Sequence, residues 1–89
     1  MKLIFSDQAW EDYLWWQSDG NAKGLERVNT LVLATRRTAF HGVGKPEPLR
    51  GDLTGWWSRR ITGEHRFVYR VSGKADTQAL EIAQLRYHY

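Results

Sequence analysis

Apolar and polar residues alternate across residues 56–71, with turn residues at 63–64 in the middle. After the turn, Phe67 and Tyr69 alternate with polar neighbours, and Arg66 opens the second half. Because successive side chains of a strand point to opposite faces, this spacing predicts a β-hairpin. The sheet that contains it should be apolar on one face and partly basic on the other.

The beginning of the chain predicts a strand followed by a helix. Residues 2–5 form a short apolar run, and Ser6 or Asp7 is suited to cap a helix because its side-chain oxygen accepts from free backbone N–H groups. In the helix that follows, Trp10 and Leu14 have the spacing of one face. We predict that both residues belong to the core.

A turn at residues 19–24 separates this helix from a second one, whose apolar residues recur with helical spacing. These residues are Leu25, Val28, Leu31 and Val32. Residues 77–85 alternate again and predict a third strand of the C-terminal sheet. The order predicts a single α+β domain over residues 1–89, with an N-terminal strand and an antiparallel helix pair packed on a mostly antiparallel, twisted β-sheet.

Charge is distributed unevenly along the chain. The formal net charge is +3, but residues 1–34 carry three Lys or Arg against five Asp or Glu, whereas residues 35–89 carry ten against five. A basic half of a small domain favours an anionic partner, of which nucleic acid is the commonest. The alternative is that these arginines are merely solvated, or complement a helix C-terminus as Arg36 and Arg37 would.

The composition excludes several classes of protein. There is no cysteine, so disulfides and thiolate metal sites are ruled out, and a reducing, cytoplasmic setting is expected. We predict no signal peptide and no membrane contact, because the first residues turn acidic early and no apolar run is long enough to span a bilayer. His41, His65 and His88 lack the spacing of metal ligands, so neither a metal nor another cofactor is expected.

Residues 38–55 lose all periodicity and predict a long loop, of a kind that is usually functional or disordered. Within it Glu47 lies between two prolines, which fix their own φ and restrict the preceding residue. We therefore expect Lys45 and Glu47 to be extended and the Glu47 carboxylate to be held in place. The alternative is an ordinary surface glutamate in a turn.

The remaining polar residues suit cleavage of an RNA strand. That reaction needs a base for the ribose 2′-OH, an acid for the departing 5′-oxygen, and positive charge on the phosphate. Glu47, His88 and Arg66 are candidates for these roles, although a terminal histidine is more often exposed and idle. Further candidates contribute positive charge or an aromatic ring for a base: Lys45, Arg50, Arg59, Arg60 and Tyr89.

Four motifs carry a resemblance to a known family: Lys45-Pro46-Glu47-Pro48-Leu49, Trp57-Ser58-Arg59-Arg60-Ile61-Thr62, Glu64-His65-Arg66 and Arg86-Tyr87-His88-Tyr89. Through them the chain resembles the YoeB (Txe/YoeB) toxins of the RelE superfamily, and the likeness extends over nearly its whole length. The resemblance implies a RelE-like fold. It also implies a type II toxin that cleaves mRNA in the ribosomal A site without a metal.

The same resemblance implies roles for particular residues and partners. Glu47 would be the general base, His88 the general acid, Arg66 the stabiliser of the scissile phosphate, and Tyr89 an aromatic that shapes the site. The implied partners are mRNA on the 70S ribosome and a YefM-like antitoxin, with operator DNA reached only through the toxin–antitoxin complex. Members of the family are often homodimers.

A second function stays open at this point. The chain could be a basic module that binds RNA or a protein target without cleaving anything, as ParE-like toxins inhibit their target. Such a binder would use its arginines for phosphate or carboxylate contacts alone. It would have little use for a stiffened glutamate together with a terminal histidine.

Overall fold

The computed structural model describes residues 1–88, and its elements follow the predicted α+β order. Two helices precede most of the sheet, and short 3-10 turns lie at Gly51–Leu53 and Ala75–Thr77. The strands and helices are β1 Lys2–Phe5, α1 Asp7–Trp16, α2 Ala22–Arg37, β2 Glu47–Pro48, β3 Trp57–Arg60, β4 Arg66–Ser72 and β5 Ala79–Gln84. The strand β2 lies inside the stretch that the sequence predicted to be a loop.

All five strands join one sheet in the order β1-β5-β4-β3-β2. The strand β1 runs parallel to β5, and every other pair is antiparallel, which confirms the mostly antiparallel sheet. The predicted hairpin is the β3–β4 pair, in which Arg60 lies opposite Arg66. Both helices pack on the face that carries Phe67 and Tyr69, as the alternation predicted. Neither helix is long and apolar enough to cross a membrane within the described part of the chain.

Helix α1 begins as predicted but buries a different face. The Ser6 side chain caps it by accepting from the Ala9 N–H at 3.0 Å. The core face, however, carries Ala9, Asp12 and Trp16, whereas Trp10 and Leu14 are 49% and 48% exposed. The prediction that Trp10 and Leu14 lie in the core was therefore wrong. Trp10 instead packs at the edge of the domain against the rings of two partly buried neighbours, Phe5 and Tyr13.

Helix α2 has the predicted core face. Val28, Leu31 and Val32 are buried, and Thr35 joins them by donating its hydroxyl proton to the Leu31 carbonyl at 2.7 Å. Burial of a hydroxyl is tolerated because that hydrogen bond is made. Arg36 and Arg37 lie in the last turn, where positive charge complements the helix dipole.

Gly24 lies in α2 directly against the Trp16 ring. A Cβ atom added at this position would lie 2.0 Å from Trp16 Cζ3, so only glycine allows the two helices to approach this closely. Trp16 in turn is 4% exposed and donates from Nε1 to the Leu85 carbonyl at 2.8 Å. The role of Gly24 is therefore to leave room for the Trp16 ring, not to stabilise helix α2.

Replacing Gly24 by alanine is expected to lower the free energy of unfolding. Alanine gains about 1 kcal/mol of helix propensity, but overlap with a buried ring typically costs about 1–3 kcal/mol. Urea unfolding followed by tryptophan fluorescence measures the balance. Thr30→Ala, on the exposed face of the same helix, is the control and should stabilise the protein by about 0.5 kcal/mol. A stabilised Gly24→Ala variant would contradict the close approach.

Candidate nucleic-acid site on the open face of the sheet

The register of three strands places the candidate residues on the face of the sheet away from the helices. Glu47 lies opposite Ser58, and Ser58 lies opposite Val68, so the three side chains share that face. Arg66 lies two residues before Val68 and faces the same way. Standard strand and residue spacings put the Glu47 and Arg66 Cα atoms about 12 Å apart. Two long side chains and a bound phosphodiester span that distance.

Arg60 and Arg66 form a pair of like charges on this face. They lie directly opposite each other in β3 and β4, and side chains in that relation have Cβ atoms about 4.5–5.5 Å apart. Neither arginine forms an ion pair with a carboxylate of the described residues. Because like charges directly opposite each other are destabilising, the pair favours an anion between or above the two guanidinium groups.

The Arg66 guanidinium is fixed by the turn of its own hairpin. Its Nη1 donates to the carbonyls of Thr62, Gly63 and His65 at 2.8, 3.2 and 3.1 Å. No acceptor among the described residues bonds to its Nε or Nη2. One edge of the guanidinium is therefore anchored by backbone carbonyls. The geometry of an arginine fork suits a phosphate.

Glu47 is held at the edge of the sheet by the strand that follows the first proline. It is extended in β2, as predicted, and the next residues continue along β3 with a hydrogen bond from Leu49 N to the Trp56 carbonyl at 2.8 Å. The Leu49 side chain is buried and anchors the segment. The extended backbone of Glu47 is confirmed, and the placement of its carboxylate stays a prediction.

Lys45 is not extended, contrary to the prediction. Its φ is +53°, and the preceding Gly44 has a φ of +90°. The chain turns here because Gly44 passes within contact of Leu31 and of the Arg59 Cβ, and its carbonyl accepts from Arg60 N at 2.7 Å. This turn leads the loop onto the edge of β3. It leaves Lys45 exposed beside the arginine pair.

The C-terminal segment brings His88 beside Arg66. The Tyr87 carbonyl accepts from Arg66 N at 3.1 Å, so the segment runs alongside the start of β4. His88 follows immediately and is exposed. Tyr89, the remaining residue to which a catalytic role was assigned, lies outside the described residues.

Arg59 does not belong to this face, and its assignment to substrate contact is corrected. It is fully buried on the helix side of the sheet. Its Nη1 donates to the Val43 carbonyl at 3.0 Å, and its Nη2 donates to the carbonyls of Thr38 and His41. Arg59 therefore secures the loop that leads to Glu47 instead of meeting a ligand.

The Arg59 charge is balanced by dipoles rather than by a carboxylate. Thr38 caps the C-terminus of α2, where the helix dipole favours a cation. Arg59 Nε also donates to the Tyr69 hydroxyl at 3.2 Å, and that hydroxyl donates to the Ala39 carbonyl at 2.6 Å. Burial raises the pKa of the Tyr69 phenol, and Arg59 offsets this only in part. The phenol stays a neutral donor.

Arg50 and Arg70 are set apart from the Arg60–Arg66 pair, Arg50 by distance and Arg70 by an ion pair. Arg50 follows Leu49, whose N–H donates to the Trp56 carbonyl. Trp56 is four residues before Arg60, a distance of about 13 Å along a strand. Arg50, a candidate for substrate contact in the sequence, therefore does not adjoin Arg60. Arg70 forms an ion pair with Glu81 at 3.1 Å, and hydrogen bonds from Ser72 and then Arg70 lower the pKa of Glu81. No carboxylate of the described residues forms an ion pair with Arg60 or Arg66.

Together these features define a small α+β domain whose sheet face away from the helices carries paired arginines and an exposed glutamate. Its sequence matches, over residues 5–89, the family described as YoeB-like toxin of bacterial type II toxin–antitoxin system. It is 52% identical to Toxin YoeB of Escherichia coli K12, with both chains covered in full. The chain therefore belongs to this family and is a type II toxin.

Solved structures agree with the assignment. The YoeB/ParE toxin from Agrobacterium tumefaciens superposes with a TM-score of 0.93 at 54% identity, covering 100% of both chains. A YoeB dimer from Staphylococcus aureus gives 0.84 at 41% identity, and a YoeB–YefM complex from the same organism gives 0.85 at 43%; each covers 100% of this chain and 98% of the other. The predicted RelE-type fold is confirmed.

Proposed function

We propose that this toxin is an endoribonuclease that cleaves mRNA in the A site of the translating ribosome. The observation that carries the proposal is the Arg60–Arg66 pair, which lies on the same sheet face as Glu47 and beside the segment that bears His88. Positive charge, a carboxylate and an imidazole are the groups that strand cleavage at a ribose requires. The family of the chain supports the same reading.

In the proposed reaction Glu47 accepts the proton of the ribose 2′-OH, and the 2′-oxygen forms a bond to the adjacent phosphorus. The bond from phosphorus to the 5′-oxygen breaks, and His88 donates a proton to that oxygen. Arg66, with Arg60 opposite it, stabilises the charge that develops on the phosphate. The products are a 2′,3′-cyclic phosphate and a 5′-hydroxyl end. Tyr89 is proposed to stack on a base of the bound codon.

The proposed partners follow from the charge of the face and from the relatives. A YoeB–YefM complex is known from Staphylococcus aureus, and we propose that a YefM-like antitoxin neutralises this toxin and carries it to operator DNA. Acidic residues of such a partner would pair with arginines that otherwise meet RNA. We also propose a homodimer, by analogy with the dimer from that organism, and a cytoplasmic location, where ribosomes translate.

Expression of the toxin in growing cells is expected to produce new mRNA 5′-hydroxyl ends at discrete codons of translated messages. Mapping of 5′ ends after induction measures this. Co-expression of the cognate YefM-like antitoxin should suppress the new ends, and blocking initiation should remove them because untranslated mRNA would no longer reach the A site. Growth arrest with intact mRNA would instead identify a binding toxin that acts without cleavage.

A further inference from the structure

The C-terminal segment is held by more than its place at the end of β5. One extra residue, Ala83, shifts the register between β4 and β5, and such a bulge bends a strand. The Ser6 hydroxyl donates to the Ala83 carbonyl at 2.8 Å, so the cap of α1 also secures the bulge. The chain is thereby redirected as it leaves the sheet.

Two buried side chains of helix α1 then hold Leu85, which lies two residues after Ala83. The Leu85 N–H donates to Asp12 Oδ2 at 2.9 Å, and Trp16 Nε1 donates to the Leu85 carbonyl at 2.8 Å. Gln8 donates to the other Asp12 oxygen at 2.8 Å and fixes the orientation of that carboxylate. The buried acid of α1 therefore serves the C-terminal segment rather than the helix.

Tyr87 is held in a conformation that its side chain disfavours. Its φ is +62°, in the left-handed region, which costs a residue with a Cβ about 1–2 kcal/mol. Both of its backbone groups are occupied by neighbouring residues of the hairpin. The Tyr87 N–H donates to His65 Nδ1 at 2.8 Å, and its carbonyl accepts from Arg66 N at 3.1 Å. These two hydrogen bonds compensate the strain.

His65 is enclosed and therefore rigid. It is 9% exposed and packs against the rings of Trp15, Trp16 and Tyr87, with centroids 5.7, 5.2 and 5.4 Å away. Its Nδ1 accepts a hydrogen bond from the Tyr87 backbone N–H, so the ring carries its own proton on Nε2. A buried, neutral acceptor is thus presented to the residue immediately before His88.

We infer that His65 is a positioning residue for the proposed ribonuclease, which sets the place of His88 by holding Tyr87 in its left-handed conformation. The inference rests on the proposed function for its catalytic consequence, and on contacts of this chain for the clamp itself. His65 accepts from the Tyr87 N–H, and the Arg66 N–H donates to the Tyr87 carbonyl, so two adjacent residues fix the chain before the proposed acid. Arg66, the residue after His65, is the proposed phosphate ligand. One short segment of backbone therefore positions both that ligand and the proposed acid, His88. Displacement of a reacting group by about 1 Å is enough to lower a rate about 10²-fold.

His65→Phe and His65→Asn separate the hydrogen bond from the packing. Phenylalanine keeps a flat ring against the tryptophans but has no acceptor, whereas the asparagine Oδ1 lies close to where Nδ1 does. His65→Gln, whose oxygen lies one bond farther out, is a second variant without an acceptor in the right place. The variants are compared with the wild type on ribosomes that carry a defined mRNA in a purified translation system.

The maximal cleavage rate of His65→Phe and His65→Gln should fall about 10²-fold, with the toxin concentration at half-maximal rate unchanged. His65→Asn should recover most of that rate. An equal loss of maximal rate in all three variants would overturn the positioning role. So would a change in the toxin concentration at half-maximal rate with no change in the maximal rate.

The clamp is also measured without any activity. In the wild type and His65→Asn, the Tyr87 amide should be protected from hydrogen exchange and show the backbone rigidity of the sheet by ¹⁵N relaxation. Both properties should be lost in His65→Phe and His65→Gln. A Tyr87 amide that stays protected in those variants overturns the inference. If the wild type cleaves no RNA but the amide behaves as expected, the proposed function fails while the clamp stands.

Discussion

Replacing Arg59 by methionine is expected to lower the free energy of unfolding by about 3 kcal/mol, because it removes the donor of three carbonyl groups. Methionine fills much of the space but leaves the carbonyls of Thr38, His41 and Val43 without their donor. A fully buried group left unsatisfied costs about 1–3 kcal/mol, and these part-buried carbonyls belong at the lower end of that range. Small domains are stable by only about 5–15 kcal/mol, so a large part of the total should be lost.

The neighbouring residue offers a matched control. Arg60→Met removes the same side chain from the exposed face, where it makes no side-chain hydrogen bond within the described residues, and should change stability by no more than about 0.5 kcal/mol. Arg59→Lys keeps the charge but reaches fewer carbonyls, so it should fall between the two. Urea unfolding followed by tryptophan fluorescence distinguishes them. Equal effects of Arg59→Met and Arg60→Met would mean that Arg59 does not secure the loop.

Arg59 also illustrates what the sequence pattern contains and how it is misread. The period of two places Arg59 on the same face as Trp57 and Ile61, opposite Phe67 in the next strand. The alternation thus already predicts a position behind the sheet. The positive charge favoured the opposite interpretation, because arginine is seldom fully buried. The acceptors that permit burial are backbone carbonyls of a loop, which no side-chain pattern records.

The misassigned face of α1 has a similar cause. Ala9, Asp12 and Trp16 have helical spacing, but the charge of Asp12 made that stripe look polar, whereas Trp10 and Leu14 made the other stripe look apolar. Asp12 is buried because it accepts from Leu85 N, a residue 73 positions away in the chain. Local periodicity carries no information about a partner so distant.

The candidate site was predictable in its residues but not in its assembly. The prolines around Glu47 predict an extended, positioned carboxylate, and the hairpin alternation places Arg66 on the open face. That the two share one face depends on β2, which is two residues long and too short to show a period. The clamp on Tyr87 joins His65 to a residue 22 positions later, and neither the motif around His65 nor local periodicity indicates that contact.

Glu47→Gln and His88→Gln are each expected to lower the rate of ribosome-dependent mRNA cleavage by about 10²–10⁴-fold, the usual contribution of a positioned acid or base. Both changes keep the size and hydrogen-bonding capacity of the side chain but remove its ability to transfer a proton at neutral pH. Because the two groups act in one reaction, the cleavage rate of the double variant should be little lower than that of the less active single variant. Single-turnover cleavage of mRNA on programmed ribosomes measures all three rates.

Two exposed residues of the same types provide the controls. Glu64→Gln alters a carboxylate in the hairpin turn, and His41→Gln alters an imidazole in the loop before β2. Neither residue belongs to a strand of the sheet, and both are exposed. Both control variants should cleave at close to the wild-type rate, and all four should unfold at similar urea concentrations. Thermodynamic stability and ribosome binding that stay constant while cleavage disappears would separate proton transfer from binding. Wild-type cleavage by folded Glu47→Gln and His88→Gln would show that neither residue transfers a proton, and the sheet face would then be a binding surface alone.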